Sequence, residues 1–120
     1  MKRNIKLFLQ DIKDSIQAIE EYTQKLTEDE FYENRQVQDA VIRRFEIIGE
    51  AVKNIDKHFR DRYPDIQWKT IAGMRDIFIH EYFGVNLRRV WNVIKRDLPD
   101  LKEKLLLIVE KEGIRQGRGI

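Results

Sequence analysis

A chain of 120 residues suits one domain around a single modest core, and 42% hydrophobic beside 37% charged residues excludes both a membrane-spanning protein and a disordered chain. The 23 basic and 21 acidic residues leave a net charge of +2, which by itself announces no nucleic-acid partner. With no cysteine there is no disulfide, zinc-thiolate site or thiol nucleophile, and without a signal-like start or a membrane-length apolar run the expected location is cytoplasmic.

Six glycines and two prolines are few breakers for this length, which favours long helices. The first helix is expected from about Arg3 to Leu26, because Ile5, Leu9, Ile12, Ile16, Ile19, Thr23 and Leu26 recur at three- and four-residue spacing. Thr27-Glu28-Asp29-Glu30 marks a turn or the capped start of a short helix. A second long helix is expected from about Asn34 to Phe59, with Val37, Val41, Phe45, Ile48, Val52, Ile55 and Phe59 as its stripe. Asp39, Arg43, Glu46 and Glu50 lie on its other side at ion-pair spacing.

Tyr63-Pro64-Asp65 interrupts the pattern. A third helix follows from about Ile66 to Glu81, ending near Gly84, which suits a left-handed cap. Asn86 is a good N-cap for a fourth helix carrying Leu87, Val90, Trp91 and Ile94. Asp97-Leu98-Pro99-Asp100 kinks or restarts that helix, and Leu101, Leu105, Ile108 and Val109 carry the stripe to about Glu112. The fold class that follows is all-α, an antiparallel up-and-down bundle of four to five helices over 1–112, with a basic, glycine-rich tail at 113–120. Trp68, Tyr82, Phe83 and Trp91 crowd one region, where a subunit interface of a homodimer would use some of them.

The third helix holds the chemistry. At 100° per residue, Trp68, Ile71, Ala72, Ile79 and Tyr82 share an apolar face with Arg75 in its middle. A guanidinium there needs an anion: an intramolecular carboxylate, or a phosphate held in two-point contact. His80 stands five residues on, about 140° around a regular helix, so a loosened last turn or a second protomer is needed to join it to Arg75. Neither His80 nor His58, read as a surface cap, sits at metal-ligand spacing. Arg88, Arg89, Lys95 and Arg96 either line an approach for RNA or form a solvated face.

Arg75-Asp-Ile-Phe-Ile-His80-Glu-Tyr82, with Gly84 behind it, resembles the RxxxxHxY signature of the HepT-like toxins of the HEPN superfamily. Gln38 through Val52 resembles that family's second-helix signature, and Trp68 through Met74 resembles the lead-in to its motif. The likeness runs from the first helix to about Val109.

The resemblance implies a HEPN-like bundle and the toxin of a type VII-like HepT/MntA toxin–antitoxin system, a metal-independent endoribonuclease working as a homodimer without a cofactor. Arg75 and His80 are then the catalytic residues, with Asp76, Glu46 and Glu50 as candidate supports. The implied partners are RNA and a cognate minimal nucleotidyltransferase antitoxin of the MntA type, which transfers AMP to Tyr82. Tyr82 has two other readings, core packing and contact with a nucleotide. The alternative function is a non-catalytic module that binds a nucleotidyltransferase and presents a substrate to it.

Overall fold

The computed structural model describes the backbone of residues 2–81 and 86–113, and the side chains of 5–74 and 86–113. Among the described residues every regular element is helical: α1 Lys2–Thr23, α2 Glu28–Tyr32, α3 Arg35–Asn54, α4 Lys57–Asp61, α5 Trp68–Glu81, α6 Leu87–Asn92 and α7 Leu98–Lys111. A π-helical turn, Val93–Asp97, joins α6 to α7 without a break, so the two form one rod. With α1, α3 and α5 this makes four long rods, and the short α2 and α4 lie in the connections. The all-α, up-and-down bundle expected from the sequence is the fold observed.

α3 is the central rod, packed against α1 on one side and α5 on the other, while α7 reaches α1. The predicted stripes meet there. Leu9, Ile12, Ile16 and Ile19 of α1 and Val41, Phe45, Ile48 and Val52 of α3 are all no more than 1% exposed. Each fully buried side chain of this size contributes roughly 1.5–3 kcal/mol of transfer free energy, so this seam outweighs any surface ion pair.

Element ends differ from expectation where a polar side chain takes a backbone partner. α1 stops at Thr23 rather than Leu26, because Thr27 must be extended to cap α2. The Thr27 hydroxyl accepts from the Glu30 N–H at 3.1 Å, and the Glu30 carboxylate accepts from the Thr27 N–H at 2.9 Å. The helix expected to run unbroken to Phe59 ends at Asn54: Ile55 is extended, and the Asp56 carboxylate accepts from the Phe59 N–H at 2.8 Å to start α4. α5 begins at Trp68 rather than Ile66, where the Trp68 indole N–H donates to the Tyr63 carbonyl at 3.0 Å.

Around Pro99 the rod passes through the π turn and resumes as α-helix at Leu98. Proline offers no N–H to the carbonyl four residues back, and the rod adapts through the π turn, in which the Leu98 N–H reaches the Val93 carbonyl. α7 closes at Glu112 and Gly113, whose φ of +72° is the left-handed conformation glycine takes without strain. The tail from Ile114 onward lies outside the described residues.

Two of the four aromatics expected to supply a subunit interface are buried inside the protomer. Trp68 is 7% and Trp91 8% exposed, and the Trp91 ring lies 5.2 Å from that of Phe31. Tyr82 and Phe83 lie outside the described residues. No described helix is long and apolar enough to cross a membrane.

Candidate functional site

α5 is anchored by its first half. Trp68 and Ile71 are buried, and Ala72 and Met74 pack partly buried on the core. Beside them a cavity of about 160 Å³ is lined by Phe45 and Ile48 of α3, Ile71 and Met74 of α5, and Leu98 and Leu101 of α7. This docking fixes where the second half of α5, with Arg75, Asp76 and His80, runs.

The backbone of α5 stays α-helical to Glu81, so the loosened last turn that would bring Arg75 beside His80 does not occur before His80. The two positions are about 7.5 Å apart along the axis and about 140° apart around it. One protomer's backbone therefore sets them on different sides of the same rod. The side chains of Arg75, Asp76 and His80 lie outside the described residues, as do Tyr82 and Gly84 altogether.

Glu46 and Glu50 line a shallow groove whose walls are Phe8 and Asp11 of α1 and Ile47 and Ala51 of α3. Glu46 pairs with Arg43 at 3.3 Å, with side-chain exposures of 29% and 69%. The solvated ion network expected on this side of α3 is present in that pair, and its contribution to stability is small. His58 is exposed on α4, in keeping with a surface position.

On the other side of α5 the cationic cluster takes shape. Arg88, Arg89, Lys95 and Arg96 are all exposed along α6 and the π turn. A groove of about 340 Å³ separates this rod from α5, walled by Thr70 and Met74 on one side and by Asn86, Arg88, Arg89 and Asn92 on the other. Asn86 caps α6 as expected, accepting from the Arg89 N–H at 3.0 Å. Thr70 and Asn92 were not singled out by the sequence pattern: a polar residue on an exposed helical position gives no periodic signal until the facing wall is known. Among the described residues no group of three or more His, Asp or Glu side chains converges as a metal site would require.

The ribonuclease HepT-like family matches residues 12–108, which takes in α3, α5 and most of the α6–α7 rod. The chain belongs to the HepT-like family. Its bundle is thus a HEPN-type bundle. Over 111 residues it is 52% identical to a Methanocaldococcus jannaschii protein named "gamma-glutamylcyclotransferase and putative RNase", matching 92% of this chain and 50% of that protein. Over 104 residues it is 47% identical to a Thermococcus cleftensis protein named "probable ribonuclease HepT", matching 87% of this chain and 94% of the relative. The chain therefore spans about half of the first relative and nearly all of the second. No solved structure matches it.

Proposed function

We propose that this HepT-like chain is an endoribonuclease that cuts RNA without a metal ion, the toxin of a type VII-like toxin–antitoxin pair acting in the cytoplasm. The observation that carries the reading is the family match over 12–108 together with the positions of Arg75 and His80 on α5, with Tyr82 two residues after His80 in the sequence. Names of relatives that specify a ribonuclease support it. The working unit is the bundle of 1–112, with 113–120 as an appended basic tail.

Cleavage requires the ribose 2′-oxygen to lose its proton and attack phosphorus, while the departing 5′-oxygen gains one. Imidazole, with an ordinary pKa near 6.5, serves either transfer at cellular pH. Arg75 stabilises the extra charge on the phosphorane, the kind of electrostatic help that often dominates catalysis. The two transfers lie on opposite sides of phosphorus, and α5 offers one motif histidine per chain. A homodimer supplies the second: His80 of one copy as base, His80 of the other as acid. The products carry a 2′,3′-cyclic phosphate and a free 5′-hydroxyl. Asp76, Glu46 and Glu50 are assigned as supports that orient or balance these charges.

Silencing by the cognate nucleotidyltransferase antitoxin is assigned to AMP on Tyr82. The added phosphodiester puts a negative charge and bulk close in sequence to Arg75, competing for the phosphate subsite and repelling RNA.

The test is cleavage of RNA by the purified protein in EDTA beside His80→Ala prepared identically, with intact masses recorded to establish that Tyr82 is unmodified. Cleavage ending in cyclic phosphate and lost by at least a hundredfold in the variant is the expected result. Equal cleavage by both unmodified samples would sink the catalytic assignment and leave the substrate-presenting module as the better reading.

A further inference from the structure

We propose that the exposed face of α6 and the π turn, carrying Arg88, Arg89, Lys95 and Arg96, is the track that holds the RNA backbone as it enters the groove beside α5. The inference rests on the RNA-cleavage reading above and assigns to it residues outside the motif.

Residues 86–96 contain four cations and no carboxylate, in a chain whose charges otherwise nearly balance. Positions 88, 89 and 92 on α6 and 95 and 96 on the π turn are all exposed along one rod. The opposite side is committed to the core through Val90, Trp91, Val93 and Ile94, each no more than 8% exposed. The cations are therefore held at the surface by the burial of their neighbours.

Acidic groups stand near both ends of this strip. The Arg88 guanidinium reaches the Tyr32 hydroxyl, which itself donates to the Glu28 carboxylate. Asp97 stands at the far end of the groove. Lys95 lies with its ammonium 4.7 Å over the Trp91 ring, a contact that fixes the side chain and leaves its charge in place. Neither Lys95 nor Arg96 forms an ion pair among the described residues.

The groove supplies direction. Its α5 wall is Thr70 and Met74, and the next residue along that helix is Arg75. A strand whose phosphates lie along Arg96, Arg89 and Arg88 is thus delivered to the half of α5 that carries the motif. The groove between α1 and α3, by contrast, is lined by Asp11, Glu46 and Glu50 with Arg43 as the cation among them. An excess of acid in one groove and of cations along the other favours a polyanion on the cationic side, a bias that net charge alone conceals.

The test compares wild type with the triple variant Arg88→Gln/Arg89→Gln/Arg96→Gln on a single-stranded RNA of about 20 nucleotides and on a dinucleotide. Each is measured at several salt concentrations, with binding of a non-cleavable 2′-deoxy analogue followed in parallel. The expected result is a KM for the long RNA raised tenfold or more with kcat within twofold, and dinucleotide cleavage unchanged. The salt dependence of log KM should flatten by about 2, at roughly 0.7 per lost single-strand contact. Arg→Lys replacements at the three positions should keep the wild-type slope, which separates lost charge from lost folding. An unchanged slope, or an equal loss on the dinucleotide, overturns the track. So does a variant that cuts and binds RNA normally but escapes silencing by the antitoxin, which would reassign the face to an acidic protein partner. Wild type that binds the analogue without cutting RNA would instead sink the catalytic reading and leave the salt slope of binding to judge the track.

Discussion

The side-chain amide of Gln38 closes α2. Its nitrogen donates to the Phe31 carbonyl at 2.9 Å, which also accepts from the Asn34 N–H at 3.2 Å, and to the Tyr32 carbonyl at 3.0 Å at the end of that helix. Gln38 is only 7% exposed, so water cannot take over both bonds when the amide is removed. Gln38→Ala is expected to lower unfolding stability by about 1 kcal/mol, the cost of losing the amide and its bond to the Tyr32 carbonyl, measured by urea denaturation. Gln38→Leu should lose a similar amount despite its matched volume, and a loss below about 0.5 kcal/mol in both would show that the bonds are dispensable. This role was not legible in the sequence. Periodicity registers apolar residues, and Gln38 is a polar residue buried for the sake of a carbonyl seven residues away. Thr27 was legible by contrast, since its capping partner Glu30 is three residues on and the pattern is local.

At the scale of elements, the long apolar stripes revealed the rods and local polar chemistry decided where they stop. Ile55 and Phe59 keep helical spacing with Val52 across the break between α3 and α4, and both are buried on either side of it. A stripe that continues through a cap conceals the cap. The π turn was hidden for a related reason: Pro99 announces a disturbance, but whether it breaks, kinks or widens a helix depends on what the rod packs against.

The join between the α4–α5 connection and the end of α7 is likewise tertiary. There the Tyr63 hydroxyl donates to the Glu112 carboxylate, and Arg62 pairs with the same carboxylate at 3.1 Å. Burial, then the bond to Glu112, raises the Tyr63 phenol above its ordinary value of 10.0. Above pH 10 the unfolded chain gives up this proton while the folded chain keeps it. The stabilisation is therefore complete below pH 10 and is lost as pH rises through the higher folded value. Tyr63→Phe should be less stable than wild type by about 1 kcal/mol at pH 8, with the gap closing as pH climbs past 10, in thermal melts run from pH 8 to 11. Tyr32, also raised, first by its bond to Glu28, is common to both proteins and cancels in the comparison. A gap that stays constant with pH would remove the phenol proton from the account.

For the molecule as a whole, the regularity of α5 is the decisive constraint on mechanism. The sequence exposed Arg75 and His80 as a motif but left open whether one helix could bring them together, and a backbone that is α-helical through Glu81 keeps their positions about 140° apart. The proposed cleft shared by two copies would resolve that separation and would also provide one histidine for each of the two proton transfers. The arrangement makes a quantitative demand. If both copies of His80 act on one phosphate, a dimer with one intact and one altered chain is as inactive as a doubly altered dimer. Co-refolding wild type with a tenfold excess of His80→Ala leaves only about one wild-type chain in ten paired with its own kind, by random pairing of identical interfaces. Cleavage per wild-type chain should then fall to about a tenth of its value alone, with the dimer content of the two samples matched by sedimentation. If each protomer's His80 acts by itself, the rate per wild-type chain is unchanged by the excess, because every intact histidine still has its own site. A rate that holds steady would confine catalysis to single protomers and require a second proton donor within the chain. A candidate on α5 would be Asp76, one helical turn before His80, whose replacement by Asn should then abolish cleavage in the same assay.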